Sequence, residues 1–205
     1  MAHIPDGILS APVLIGGGIV AAAGVAMALR RLDDRAIVRT AILSAAFFTV
    51  SLISVPLGPT SVHLMLGGLM GIMLGWGAAL AVLVGLALQA VMFGIGGVTT
   101  LGVNTLDIAG PGVVMGLLLG PAIRRATGAR RGVLAGVAGA GAVLGTGALV
   151  SLVLALSAPE YTPVARIVLA TYVPLALVEA AITAAVVSFL ARTEPAALEP
   201  SGAKR

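Results

Sequence analysis

Leu9-Ser10-Ala11-Pro12-Val13-Leu14-Ile15-Gly16-Gly17-Gly18-Ile19-Val20-Ala21-Ala22-Ala23-Gly24-Val25-Ala26-Met27-Ala28-Leu29 carries no charge, and Arg30-Arg31 follow at once. About twenty apolar residues are what an α-helix needs to cross the hydrocarbon core of a bilayer. The chain repeats the pattern. Its 205 residues are 59% hydrophobic and 10% charged, with a mean hydropathy of +1.13. Soluble domains carry about 25% charged residues. The expected fold class is therefore an all-α integral membrane protein, one bundle of transmembrane helices.

Seven spans are read along the chain, at about residues 9–29, 39–57, 61–76, 77–93, 106–123, 132–158 and 164–190. The third is short for a full crossing. Residues 1–192 form the transmembrane domain, and the polar, Pro-containing residues 193–205 are expected to be a disordered cytoplasmic tail. With seven spans, Arg30, Arg31 and Arg35 fall on one side with Arg124, Arg125, Arg130 and Arg131, and with Arg192, Lys204 and Arg205. Basic residues favour the cytoplasmic side. That puts the C-terminus in the cytoplasm and the N-terminus outside, at the cell membrane. The net charge of +4 marks topology, and no nucleic-acid surface is read from it.

Three polar islands then share the outer face. The first is Met1-Ala2-His3-Ile4-Pro5-Asp6-Gly7, and the second surrounds His63. The third runs from Gly96 to Asn104. His3 and His63 are the two histidines of the chain, and it has no cysteine, which excludes thiolate metal sites. Close to a free N-terminus, an amine, the intervening amide nitrogens and a histidine ring can chelate a divalent ion in a plane. Planar nitrogen coordination suits Ni²⁺ or Cu²⁺. If the chain keeps Met1, the amine, two amides and the His3 ring fill four positions. If Met1 is removed, as the small Ala2 favours, the Ala2 amine, one amide and the ring leave a position for His63.

Other polar groups surround this set. Asn104 and Gln89 are read as hydrogen-bonding supports of His63 or of the N-terminal segment, with loop capping and interhelical hydrogen bonding as the alternative, the preferred one for Gln89. Asp6 caps a turn or offsets the ion's charge. Asp107 is expected at a helix start, and Glu179 lies near the middle of the last span, where an ionisable group is costly and needs a reason. Glycines four apart, Gly67-Gly71-Gly75 and Gly112-Gly116-Gly120, mark close helix packing. No phosphate-binding loop is present, because the sole lysine is Lys204. ATP-driven transport would need a separate ATPase.

His3-Ile4-Pro5-Asp6-Gly7-Ile8-Leu9-Ser10 resembles the opening signature of the CbiM/NikM family. Thr60-Ser61-Val62-His63-Leu64 resembles its second histidine motif. Gln89-Ala90-Val91-Met92-Phe93-Gly94-Ile95-Gly96-Gly97 with Leu101-Gly102-Val103-Asn104 resembles its third block. The similarity covers about residues 3–190. It implies a substrate-specific membrane component of an energy-coupling-factor (ECF) importer for Co²⁺ or Ni²⁺, with the metal as cargo and no permanently bound cofactor. It implies a transmembrane coupling subunit, ATP-binding-cassette ATPases and a small accessory membrane subunit as partners. The ligands it implies are the amine of Met1 or Ala2, His3 and His63. The family opens Met-His, so Ala2 is a departure that Met1 removal would repair. The chain itself is expected to be no enzyme. The alternative reading is a stand-alone secondary transporter of a divalent metal.

Overall fold

A computed structural model of the chain describes residues 3–57 and 60–199. Seven α-helices appear among them: α1 (Ala11–Leu29), α2 (Asp34–Ser51), α3 (Gly67–Leu74), α4 (Gly77–Phe93), α5 (Leu101–Arg125), α6 (Gly128–Ser157) and α7 (Thr162–Thr193). Helices α1, α5, α6 and α7 are long and apolar enough to cross a membrane. Helix α4 is a shorter apolar helix of 17 residues. Outward-facing Ile15, Leu118, Leu152 and Leu177 are well exposed, as lipid-facing side chains must be. This is a multi-pass membrane protein.

The third expected span departs from a helix. Ser54–Leu57 (β1) and Thr60–His63 (β2) pair antiparallel, with Ser54 opposite His63. Pro56 disfavours a helix here, and the neighbouring Val55 and Val62 favour extended backbone. Only the 8 residues of α3 follow. At 1.5 Å per residue that is about 12 Å, well short of the bilayer core. An apolar stretch can therefore pass between the two ends of the bundle as a strand and a short helix rather than as one continuous helix.

Helix α3 is the centre of the bundle. Seven of its residues are buried, and it packs on α4, α5, α6 and α7. A helix that is apolar all round must be enclosed on every side. The two glycine stripes meet there. A Cβ on Gly71 would lie 1.8 Å from the Gly112 carbonyl oxygen, and one on Gly116 would lie 2.0 Å from that of Gly71. Both blocking atoms are backbone, so neither can move aside cheaply. Overpacking of this kind costs about 1–3 kcal/mol or more. Gly71→Ala should therefore lower the melting temperature and the monodisperse fraction on size-exclusion chromatography, with Gly16→Ala on the open face of α1 as an unaffected control.

The two ends of the bundle differ in chemistry. One gathers Arg31, Thr40, Gly75 and Arg124 around a cavity. The other gathers His3, Gly96, Leu154 and Tyr161. The tail differs from expectation over its first part. After α7 a 3-10 turn spans Pro195–Leu198, and Leu198 is buried. Arg39 Nη2 donates to the Ala196 carbonyl at 2.7 Å and Nη1 to that of Glu199 at 2.9 Å. A guanidinium fork thus orders a polar segment whose composition alone reads as disordered. Residues 200–205 lie outside the described residues.

Candidate metal centre

The N-terminal segment is drawn into the bundle by its own backbone. Ile4 N–H donates to Asn104 Oδ1 at 2.9 Å, and Asn104 Nδ2 donates to the Ile4 carbonyl at 3.0 Å. Thr100 Oγ1 donates to the same carbonyl at 2.7 Å. A primary amide that meets one residue's N–H and C=O together fixes it in position and orientation. Asp6 adds a second clamp. Its carboxylate accepts from the N–H groups of Val98 (3.1 Å), Thr99 (3.0 Å) and Thr100 (3.3 Å), and from Thr99 Oγ1. These amides form the turn that leads into α5, so Asp6 clamps that turn across the sequence and sets a negative charge near a helix N-terminus, where it is favourable. The Thr99 hydroxyl, ahead of the backbone amides, holds the Asp6 carboxyl below its usual range. Gly97 permits the approach, since a Cβ there would lie 2.0 Å from Asp6 Oδ1.

These clamps place His3 against His63. The two rings stack with centroids 4.8 Å apart and planes inclined at 27°. Both residues are buried, at 5% and 6% exposure. His63 Nδ1 lies 3.1 Å from the Leu64 carbonyl oxygen. A carbonyl only accepts, so Nδ1 carries the proton and Nε2 presents a lone pair. Both nitrogens of His3 and Nε2 of His63 are buried without a partner among the described residues. Buried polar atoms are normally hydrogen-bonded, and three orphaned ring nitrogens in one place are the mark of a ligand site. Burial, reinforced by the neighbouring His63, pushes the His3 ring down to about 3. Burial also lowers His63, against an upward push from the Leu64 carbonyl. Both rings are therefore neutral at neutral pH. Lone pairs lie in the ring planes, so convergence on one ion calls for one ring to turn out of the stack.

No third His, Cys, Asp or Glu joins the pair among the described residues. Asp6 spends its oxygens on the start of α5 and is a clamp. Met1 and Ala2 lie outside the described residues. Gln89 makes interhelical hydrogen bonds rather than supporting the histidines. It is buried between α4 and α2, where its Nε2 donates to Ser51 Oγ and to the Phe48 carbonyl. It bonds the end of α2 that leads into β1, rather than His63 or the N-terminal segment.

Of two further acidic residues, Asp107 differs from its expected setting at a helix start, and Glu179 hydrogen-bonds within the bundle. Helix α5 begins at Leu101, so Asp107 lies within it, fully buried, and neither oxygen has a partner. Glu179 on α7 is fully buried, and its Oε1 accepts from the backbone N–H groups of Met65 and of Leu66 (2.8 Å). Leu66 has a φ of 51°, an uncommon conformation for a non-glycine residue. Backbone off the helix at membrane depth must be satisfied by protein. Glu179 does this for the bend two residues beyond His63. The sequence marks Glu179 as costly but does not reveal which amides it serves.

The transmembrane region for substrate-specific cobalt uptake, CbiM, matches residues 3–197 as a family model. The chain belongs to the CbiM family. It is 36% identical over 195 residues to a Haemophilus influenzae protein named for metal transport, covering 94% of this chain and 95% of that one. It is 31% identical to the cobalt transport protein CbiM of Sorangium cellulosum, covering 96% and 94%. It is also 31% identical to the fused nickel transport protein NikMN of Rhodobacter capsulatus, over 97% of this chain and 64% of the fusion. A crystal structure of a transition metal transporter superposes with a TM-score of 0.78 at 24% identity, covering 93% of each chain. That similarity carries the fold. CbiM proteins are transport components, and the Asn104 clamp yields a testable expectation. Asn104→Ala should release Ile4 and lower metal affinity about 10–100-fold, the usual effect of removing a group that orients a ligand, measured by calorimetric titration of the purified CbiM-family chain.

Proposed function

We propose that this chain captures Co²⁺ or Ni²⁺ at the outer face and delivers it as the substrate-specific component of an ECF-type importer. The stacked pair His3–His63, with three orphaned ring nitrogens, carries the proposal. The other nitrogens come from the N-terminus. Ile4 N–H is committed to Asn104, so the chelate runs from His3 toward the amine of Met1 or Ala2. The ring and amide of His3, the amine and His63 Nε2 then complete a plane of four nitrogens, once Met1 is removed. This donor set suits a divalent ion with planar preference.

Asn104, Thr100 and Asp6 hold the N-terminal arm, and Glu179 holds the bend after His63. Gln89 acts through the α2–α4 contact, one step further away. The chain performs no covalent chemistry. A transmembrane coupling subunit with ATP-binding-cassette ATPases, joined by a small accessory membrane subunit, would drive reorientation and inward release. The basic end of the bundle faces the cytoplasm in this reading. Cells expressing the chain with these partners should accumulate radioactive cobalt or nickel, and His3→Ala cells should not. Equal uptake by both would remove the site from transport.

The second reading, a stand-alone secondary transporter, draws on Asp107 and the free Oε2 of Glu179, two buried acids of the kind that relay protons. Uptake that persists without ATPases and collapses with the proton gradient would favour it.

Glu179 has a separable consequence. Glu179→Gln keeps an acceptor for Met65 and Leu66, whereas Glu179→Ala orphans both amides, each at about 1–3 kcal/mol. Metal affinity should survive in the glutamine variant and fall at least about tenfold in the alanine variant, since the lost restraint acts on the bend that aims His63.

A further inference from the structure

The cavity at the basic end, opposite the histidines, has no role in metal capture. It encloses about 210 Å³ between α1, α2, α3, α4 and α5, and Arg31, Thr40, Trp76 and Arg124 line it. Arg124 folds back along its own helix. A Cβ on Gly120 would lie 3.0 Å from Arg124 Nη1 and 3.5 Å from Nη2, so the bare backbone of Gly120 gives the guanidinium its berth.

Neither Arg31 nor Arg124 forms an ion pair or side-chain hydrogen bond among the described residues, and no acidic side chain lines the cavity. Other arginines at this end do find acceptors: Arg39 in the carbonyls of Ala196 and Glu199, and Arg131 in that of Ile123. Asp33, close to Arg31 in sequence, spends Oδ1 on the Ala36 N–H at 2.7 Å.

Thr40 supplies an independent observation. It is 6% exposed, and its hydroxyl has no partner. Helical threonines commonly bond back to the carbonyl four residues earlier. Thr49, Thr105 and Thr146 do so here. Thr40 does not, and it lines the cavity that holds the two unpaired guanidinium groups. Two forked cations and a hydroxyl donor call for an anion rich in acceptor oxygens, which is the chemistry of phosphate recognition.

We propose that this cavity binds a phosphate ester, the headgroup phosphate of an anionic phospholipid. The location favours the lipid source. The site lies at the basic end of the spans, where basic pockets between helices meet headgroups. Leu117 lines the cavity and is 46% exposed, and its neighbour Leu118 is 68% exposed. Together they form an apolar flank for acyl chains. A soluble phosphate ester would use the same donors.

The test uses the purified full chain in detergent, titrated with phosphatidylglycerol, phosphatidylcholine or inorganic phosphate. Bound lipid is counted by native mass spectrometry and the melting temperature is followed in parallel. Phosphatidylglycerol should bind one saturable site and raise the melting temperature, and phosphatidylcholine should not. The pair Arg31→Gln with Arg124→Gln should weaken that binding at least tenfold, and Thr40→Val about threefold. Arg192→Gln should leave it unchanged. An intact nickel titration in the double variant certifies its fold. Inorganic phosphate that displaces phosphatidylglycerol would support the site and assign it a soluble phosphate. Equal binding of the two lipids, or undiminished phosphatidylglycerol binding in the double variant, would overturn the proposal.

Discussion

His63→Ala should reduce metal affinity by more than about a hundredfold while leaving the fold intact. Removing a group that merely orients a ligand costs about 10–100-fold, and in the proposed site His63 contributes a ligand atom itself. The fold should tolerate the change because His63 Nε2 has no partner to lose. The bend beyond His63 stays pinned by Glu179. Calorimetric titration with Ni²⁺ and Co²⁺ reads the affinity, and a melting curve without metal reads the fold. Undiminished affinity would place all four nitrogens within Met1-Ala2-His3.

Blocking the terminal amine should have a comparable effect with both histidines present. The mature chain is expected to begin at Ala2, because only then is His3 the second residue, with one planar position left for His63. An acetyl group removes the amine's lone pair, whereas a residue kept or added before Ala2 would bring in a second amide and leave no planar position for His63. The Asn104 clamp makes the dependence sharper. Ile4 N–H is already bonded, so the next amide along the chain cannot substitute. Intact-mass spectrometry reports the first residue. Titration of the acetylated chain should show affinity reduced more than about a hundredfold, the scale expected for a lost ligand rather than a lost support.

The sequence made the long apolar helices legible because lipid demands unbroken apolar runs. The histidine pair was legible for the opposite reason, since polar groups in such a chain are few. The hairpin Ser54–His63 was not. Its extended strands lie inside an apolar run, and only Pro56 and Pro59 hint at them. The start of α5 was hidden too. Leu101-Gly102-Val103-Asn104 reads as a continuation of a glycine-rich loop, but Asp6 fixes the turn before the helix from 92 or more residues away in sequence. Long-range clamps leave no local signature. Gln89 follows the same rule: its partners lie on α2, and its neighbours in sequence gave no sign of them. The glycine stripes of α3 and α5 were visible singly, whereas their interlocking belongs to the packed bundle.

X-ray absorption at the nickel edge of the purified chain with its native N-terminus tests joint capture by His3 and His63 most directly. The account predicts one ion per chain, four nitrogen neighbours in a plane, and scattering from two imidazole rings. It also predicts that one ring's contribution disappears in His63→Ala. A single imidazole in the unmodified chain, or an oxygen-rich octahedral ion, would contradict it.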